Sequence, residues 1–233
     1  MEVFTGKLTL IFVIHSIETL AYAVRLSGAR VKMIASALAL FNVMVIVSRL
    51  ANMMHQPFTG SLIDTAPPAY GLQMVEEQYR ILIAASTAGT VAGIIVFPTF
   101  IALFSRAIIH LANEKGSIPA LIKKGFSMEF FMRGWKHFRL PKRAATAVMA
   151  SGLINGIATI LLVVFVDPKV SVLADDVVNN RGSYRTLKGV SLMMVTSRLF
   201  GTLLAQVLFI PGAKYVAWFT KFIVNDRCLL HGS

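Results

Sequence analysis

The chain has 233 residues, of which 56% are hydrophobic and 15% are charged, and its mean hydropathy is +0.69. An average soluble domain has about 25% charged and 45–50% apolar residues, so this composition indicates a polytopic helical membrane protein. The net charge of +12 does not predict a nucleic-acid partner, because the basic residues cluster between apolar segments. The single cysteine, Cys228, excludes an intrachain disulfide and a cysteine-built metal site.

Long apolar windows recur along the chain, and each approaches the roughly 20 residues that a helix needs to cross a bilayer. We predict an all-α, polytopic helix bundle that forms a single membrane domain over residues 1–233. The N-terminal segment is interpreted as a first span, since His15 and Glu18 interrupt the apolar core that a signal peptide would need. About six spans are expected, at residues 7–25, 32–54, 81–105, 144–166, 187–210 and 212–226.

Three prolines and two glycine pairs refine these spans. The third apolar run continues to Leu111, so this helix should extend past the membrane surface, with a bend at Pro98. Pro211-Gly212 is the expected break between the last two spans, and Asp167-Pro168 the expected end of the fourth. Two pairs of glycines at four-residue spacing predict close helix packing: Gly89 with Gly93, and Gly152 with Gly156.

The loops differ in basic residues, and this difference predicts the orientation. Residues 25–32 hold three Lys or Arg and residues 111–143 hold eight, whereas residues 55–80 hold Arg80 alone. Positive loops stay in the cytoplasm, so 25–32 and 111–143 are assigned there. Strict alternation then puts 167–188 and both termini outside, although 167–188 holds four basic residues.

The 111–143 loop mixes aromatic and cationic residues between Phe126 and Phe138, which is typical of an amphipathic interfacial helix. One interpretation is an anchor on the headgroups of membrane lipids. The other is a gate at the cytoplasmic mouth of a site.

Polar residues recur within the predicted spans. His15, Glu18, Tyr22 and Arg25 are spaced three, four and three residues apart, so they share one face of a helix. A charge that faces lipid at the bilayer centre costs at least about 2.5–3.5 kcal/mol, so this face must contact protein or water. Either Glu18 neutralises an arginine of a neighbouring helix, or the face borders a polar cavity.

Three spans contain a Ser-Arg pair, with arginines at Arg49, Arg106 and Arg198. Arg49 and Arg198 fall well inside their spans, and Asn52 follows Arg49 by about one turn, whereas Arg106 lies near the cytoplasmic surface. Two arginines against one glutamate, Glu18, predict either a cavity that receives an anion or a structural network of polar side chains.

Several kinds of chemistry have no sequence support. No phosphate-binding loop of the GxxxxGK[ST] form and no HExxH motif occur, so neither ATP hydrolysis nor a metal cofactor is expected. A polyprenyl-pyrophosphate phosphatase would need paired acids, and Glu18 is the one acid placed well inside a span. The residues therefore give a phosphatase little support.

The run IHSIETLAYAVRLSGAR at residues 14–30 resembles the N-terminal signature of the Amj family, bacterial lipid II flippases named as an alternate to MurJ. Further similar segments are SRLAN at 48–52, QPFTGSLID at 56–64, FVDPKVS at 165–171 and SRLFGT at 197–202. The resemblance covers most of the chain.

The resemblance implies a multi-pass transporter of the bacterial cytoplasmic membrane, rather than an enzyme, that moves lipid II to the outer leaflet. Lipid II is undecaprenyl pyrophosphate that carries a disaccharide-pentapeptide. The alternatives are a polyprenyl-pyrophosphate phosphatase or a non-transporting cell-wall scaffold. The residues expected to bind the pyrophosphate headgroup are, by our own assignment, His15, Glu18, Arg25, Arg49, Asn52, Arg106 and Arg198.

Overall fold

The computed structural model describes residues 2–64, 71–113 and 160–230. Within these ranges the chain is helical apart from short turns, which confirms the all-α prediction. The helices are α1 (Glu2–Val31), α2 (Ile34–Asp64), α3 (Gly71–Asn113), α4 (Asp167–Val178) and α5 (Tyr184–Leu230). A π-helical turn at Leu162–Val166 leads directly into α4.

Four of these helices contain a stretch long and apolar enough to cross a membrane: Thr5–Val31, Ile34–Met53, Gln73–Asn113 and Tyr184–Gly212. They correspond to the first, second, third and fifth predicted spans. Residues 144–159 of the fourth span, the amphipathic segment and the second glycine pair lie outside the described residues.

Small residues let α1 and α3 pack closely. A Cβ atom added at Gly89 would overlap the backbone of Phe12, and one added at Gly93 would lie 2.8 Å from Thr19 Cβ. Ser16 Oγ donates a hydrogen bond to the Gly89 carbonyl at 2.9 Å. This contact confirms the close packing predicted from the first glycine pair.

The two helices run in the same direction, because contacts advance together along both. Beyond the glycine pair, Ser27 Oγ donates to the Ile101 carbonyl at 2.9 Å. The C-terminal ends of α1 and α3 therefore lie towards the same end of the bundle. α3 continues past Leu111 and ends at Asn113, and its extension past the membrane surface stays a prediction.

A tight turn after α1 sends α2 back along it. Lys32 has a positive φ of 57°, and Met33 N–H donates to the Gly28 carbonyl at 2.9 Å. A Cβ atom at Gly28 would overlap Ala37, so glycine permits the close return. The two helices, together with α3, then bury a shared apolar cluster of Ala21, Val24, Ala37, Phe41 and Ile108.

A second apolar cluster joins α1 to α4 and α5. Its buried members are Leu26, Ala29, Val170, Ala174 and Leu187. Because Leu187 packs near the end of α1 while Arg198 reaches Glu18, α5 runs antiparallel to α1. The turn between α4 and α5 therefore lies at the same end of the bundle as the turn between α1 and α2.

This shared end carries exposed cations, and we call it the basic end: Arg30, Lys32, Arg181, Arg185 and Lys188. The placement of residues 167–188 opposite 25–32 was wrong. Strict alternation assumes one crossing per apolar window, whereas α4 packs beside α1 and runs towards the basic end. The four basic residues of 167–188 match this position better than the predicted one.

Two predicted helix breaks were also wrong. α5 continues through Pro211 to Leu230, and the chain remains helical from the π-helical turn through Pro168 to Val178. Proline is tolerated in the first turn of a helix because its missing N–H would have no partner there, so Asp167-Pro168 begins α4 rather than ending a span. α3 also stays one helix through Pro98, and the bend expected there stays a prediction.

Candidate functional site

The polar face of α1 meets two neighbouring helices. His15 and Glu18 face α5, and Arg25, about two turns further on, contacts α4 and α2. Tyr22 lies between them and is partly buried. The expectation that this face contacts protein or water rather than lipid is confirmed for His15, Glu18 and Arg25.

Glu18 and Arg198 form an ion pair between α1 and α5. Each side chain is 21% exposed, so the pair is largely shielded from the surroundings. His15 Nδ1 lies 3.0 Å from Arg198 Nη2. Because a guanidinium can only donate, Nδ1 accepts this hydrogen bond and the imidazole is neutral in this arrangement. We refer to His15, Glu18 and Arg198 as the polar cluster.

Arg198 keeps hydrogen-bonding capacity after it has paired with Glu18. Its Nε atom is buried without a hydrogen-bond partner among the described residues. A guanidinium carries five N–H donors in a planar fork that matches the oxygens of a phosphate. The polar cluster is therefore chemically able to exchange a carboxylate for a phosphate on the same arginine.

Arg25 is the most deeply buried cation of the predicted site, at 6% exposure. Its Nη2 donates to Asp167 Oδ1 at 2.7 Å, and its Cζ lies 4.0 Å from the centroid of the Phe41 ring. Arg25 Nε and Nη1 have no hydrogen-bond partner in the part of the chain that the structure describes. This arginine fastens α4 and α2 to α1, since its partners lie on both.

The remaining predicted site residues lie on α2 and α3. Arg49 is partly buried and has an interaction partner. Asn52 is partly buried one turn further along α2. Arg106 is exposed on α3. The described contacts thus bring together His15, Glu18 and Arg198, and place Arg25 in a separate pair.

A cavity of about 600 Å³ opens between α1, α3, α4 and α5. None of the seven predicted site residues lines it. The lining combines three cations with apolar side chains: Ala29, Arg30, Lys32, Ile94, Phe97, Pro98, Ile101, Val177, Tyr184, Lys188, Leu192 and Val195. The prediction of a cavity lined by Arg49 and Arg198 therefore does not describe this one.

Sequence reasoning missed two features of this region. Asp167 was interpreted as part of a helix end, although its position in a segment of the family resemblance, FVDPKVS, could have marked it as a partner for Arg25. The cations of the cavity were counted as loop charges, because Arg30, Lys32 and Lys188 flank apolar runs as orientation signals do. Their convergence depends on the antiparallel packing of α5 on α1.

Comparison with known proteins identifies relatives over most of the chain. The family model described as Amj, alternate to MurJ, matches residues 10–145 and 139–220. The protein named lipid II flippase Amj of Bacillus subtilis (strain 168) is 52% identical over 269 residues, covering 95% of this chain and 100% of the relative. The alignment is longer than the chain itself, so the relative has residues with no counterpart here. No solved structure matches significantly.

Proposed function

We propose, from the premise that this chain belongs to the Amj (alternate to MurJ) family, that it is a lipid II flippase of the bacterial cytoplasmic membrane. The observation that carries the proposal is the 52% identity to a lipid II flippase along that protein's whole length. The four candidate membrane-spanning helices support it, because a flippase must carry a polar headgroup through the hydrocarbon layer. The substrate moves from the inner to the outer leaflet.

The polar cluster supplies a mechanism for this passage. In the structure Arg198 is neutralised by Glu18, which makes its burial tolerable while no substrate is bound. An incoming pyrophosphate competes for the guanidinium and displaces Glu18, since bidentate contacts to phosphate are among the strongest that arginine makes. His15 then retains a hydrogen bond to Arg198 or takes up the released carboxylate. Arg49 acts as a second cation for the headgroup.

The orientation follows from the charges. The basic end faces the cytoplasm, because positively charged loops are retained there. α1 begins at the opposite end and α5 runs towards that end. Both termini are therefore extracytoplasmic, which is the placement expected from the sequence. That expectation used six crossings, whereas the described residues contain four candidate membrane-spanning helices.

Complementation tests the proposal directly. Bacteria depleted of their own lipid II flippases receive the wild type, Arg198→Ala, Arg49→Ala or Glu18→Gln, with membrane levels measured by immunoblot. We expect growth with the wild type, and loss of growth with Arg198→Ala at normal membrane levels. Arg185→Ala is the matched control, since Arg185 is an exposed arginine of the same helix and should leave growth intact.

Each alternative function gives a different result. A well-inserted wild type that does not rescue growth would contradict the flippase assignment. Phosphate release from undecaprenyl pyrophosphate by the purified protein would instead favour a phosphatase. Rescue by all variants would retain the function but remove Arg198, Arg49 and Glu18 from the mechanism.

A further inference from the structure

The cavity at the basic end has two chemically distinct parts. Arg30 and Lys32 at the end of α1 and Lys188 in the first turns of α5 supply three cations. Further in, the lining is apolar and includes Ile94, Phe97 and Leu192. No acidic side chain is among the described residues that line it, so none of these residues neutralises the three cations.

This division matches an anionic head attached to a hydrocarbon chain. We propose that the cavity is the entry site for a polyprenyl pyrophosphate lipid, with the pyrophosphate on Arg30, Lys32 and Lys188 and the first prenyl units against Phe97 and Leu192. The inference rests on the proposed function, because it assigns that function's substrate a first binding site. It adds three residues that neither the resemblance nor the sequence pattern had placed together.

The size of the cavity limits what it holds. About 600 Å³ falls within the usual range of roughly 300–1,000 Å³ for small-molecule sites. It therefore receives the pyrophosphate and the adjoining part of the chain, while the rest of the prenyl tail stays in lipid. The exposed apolar side chains on α5, such as Leu192 and Met193, offer the tail a surface continuous with the cavity.

The cavity also points towards the polar cluster. Val195 lies at its inner end, about one helical turn before Arg198 on α5. Residues three apart on a helix share a face, so a headgroup that leaves the cations of the basic end meets Arg198 next. The two sites together form a path along α5, with the cavity as the loading position.

The test measures lipid binding by native mass spectrometry of the purified full chain in detergent. The probes are undecaprenyl pyrophosphate, phosphatidylglycerol and inorganic pyrophosphate. The double variant Arg30→Gln/Lys188→Gln removes two cavity cations, and Leu192→Trp fills the apolar part without changing charge. The matched control is Lys169→Gln/Arg185→Gln, which removes the same charge from exposed residues of α4 and α5 that do not line the cavity.

We expect the wild type to bind undecaprenyl pyrophosphate in preference to phosphatidylglycerol and inorganic pyrophosphate. The cavity double variant should bind it at least about tenfold more weakly, since losing even one of its two charge-assisted hydrogen bonds has that effect. Leu192→Trp should also weaken binding, and the control should bind as the wild type does.

Several outcomes would overturn the inference. Equal weakening in the cavity and control variants would mean general electrostatic attraction rather than a site. Equal binding of phosphatidylglycerol would assign the cavity to ordinary membrane lipid, and equal binding of inorganic pyrophosphate would remove the prenyl contact. No binding of undecaprenyl pyrophosphate by the wild type would reject the site. Growth rescue is measured in a separate experiment. If the wild type rescues growth and the cavity variants bind undecaprenyl pyrophosphate and rescue growth equally well, the entry site is contradicted but the flippase function is not.

Discussion

Glu18 on α1 and Arg198 on α5 are 180 residues apart in sequence and form an ion pair inside the helix assembly. The pair has two interpretations: a structural link between helices, or an arginine held ready for an anion. A charge-swapped variant, Glu18→Arg/Arg198→Glu, separates them. It preserves the attraction but moves the cation from α5 to α1.

The single variants Glu18→Gln and Arg198→Gln should each lower stability, because each leaves one partly buried charge without its partner. The swapped variant should recover thermal stability in detergent. We expect it not to restore growth of flippase-depleted cells. The swap moves the guanidinium to α1, so it no longer lies on α5 one turn beyond the inner end of the cavity. A swapped variant that restores both would show that the pair is structural.

The Arg25–Asp167 pair should be important for stability. Asp167→Asn leaves a guanidinium that is 6% exposed without a counter-charge, and breaking a buried pair from one side costs about 3–5 kcal/mol. We expect a large fall in thermal stability, which Asp167→Glu should partly rescue. Asp175→Asn is the control, because Asp175 is exposed on the same helix. Equal stability of Asp167→Asn and the control would contradict a structural role for the pair.

The contact of α1 with α3 at Gly89 should tolerate no side chain. Gly89→Ala puts a Cβ atom into the backbone of Phe12, where no rotamer change relieves the overlap, so the helices must separate. We expect strongly reduced membrane levels and a lower melting temperature. Gly201→Ala on α5 is the matched control, because nothing lies within 4 Å of its added Cβ. It should be neutral or slightly stabilising, since alanine favours helix over glycine.

The sequence predicts the part of this fold that depends on local pattern. Apolar length located four of the predicted spans, the spacing of His15, Glu18 and Arg25 placed them on one face, and Gly89-xxx-Gly93 marked a close helix contact. These features are properties of one helix at a time. The partner of Arg25 and the meeting of Arg30 with Lys188 depend on which helices pack together and in which direction. Charge counts in loops do not say which helices pack together, and strict alternation placed 167–188 at the wrong end although its four basic residues matched the observed one.

Acidification should weaken the packing around His55, which lies on α2 beyond the membrane-spanning stretch. Burial lowers the pKa of His55 to about 4, and the neighbouring cation Lys7 adds to this effect. As the pH falls, His55 of the unfolded chain therefore takes up a proton near pH 6.5, whereas His55 of the folded chain stays neutral until about pH 4. The contribution of His55 to the free energy of unfolding is therefore fully present above pH 6.5. It is lost between pH 6.5 and about pH 4, by about 1.4 kcal/mol per pH unit.

Thermal unfolding of the purified protein in detergent at pH 7 and pH 5 checks this. The wild type should melt at a lower temperature at pH 5, and His55→Gln should lose much of that difference. His110→Gln, which changes an exposed histidine of α3, should behave as the wild type. A pH dependence that is unchanged in His55→Gln would contradict the assignment.

Transport itself should respond to the membrane potential. The pyrophosphate headgroup is an anion, and moving one charge across 100 mV is worth about 2.3 kcal/mol, or about fifty-fold in an equilibrium ratio. A potential that is negative on the side of the basic end should therefore drive the headgroup away from that side without ATP. Arg198 lies about midway along Tyr184–Gly212, the candidate membrane-spanning stretch of α5.

Vesicles that contain the purified protein and labelled lipid II can test this with an imposed potassium diffusion potential. Headgroup exposure on the outer surface should rise when the interior is negative and fall when the sign is reversed. Vesicles with Arg198→Ala should show little exchange at either sign, and protein-free vesicles give the background. Because an uncharged transport step would be indifferent to the field, exchange that is rapid but unchanged by the potential would show that the headgroup does not cross as a free anion.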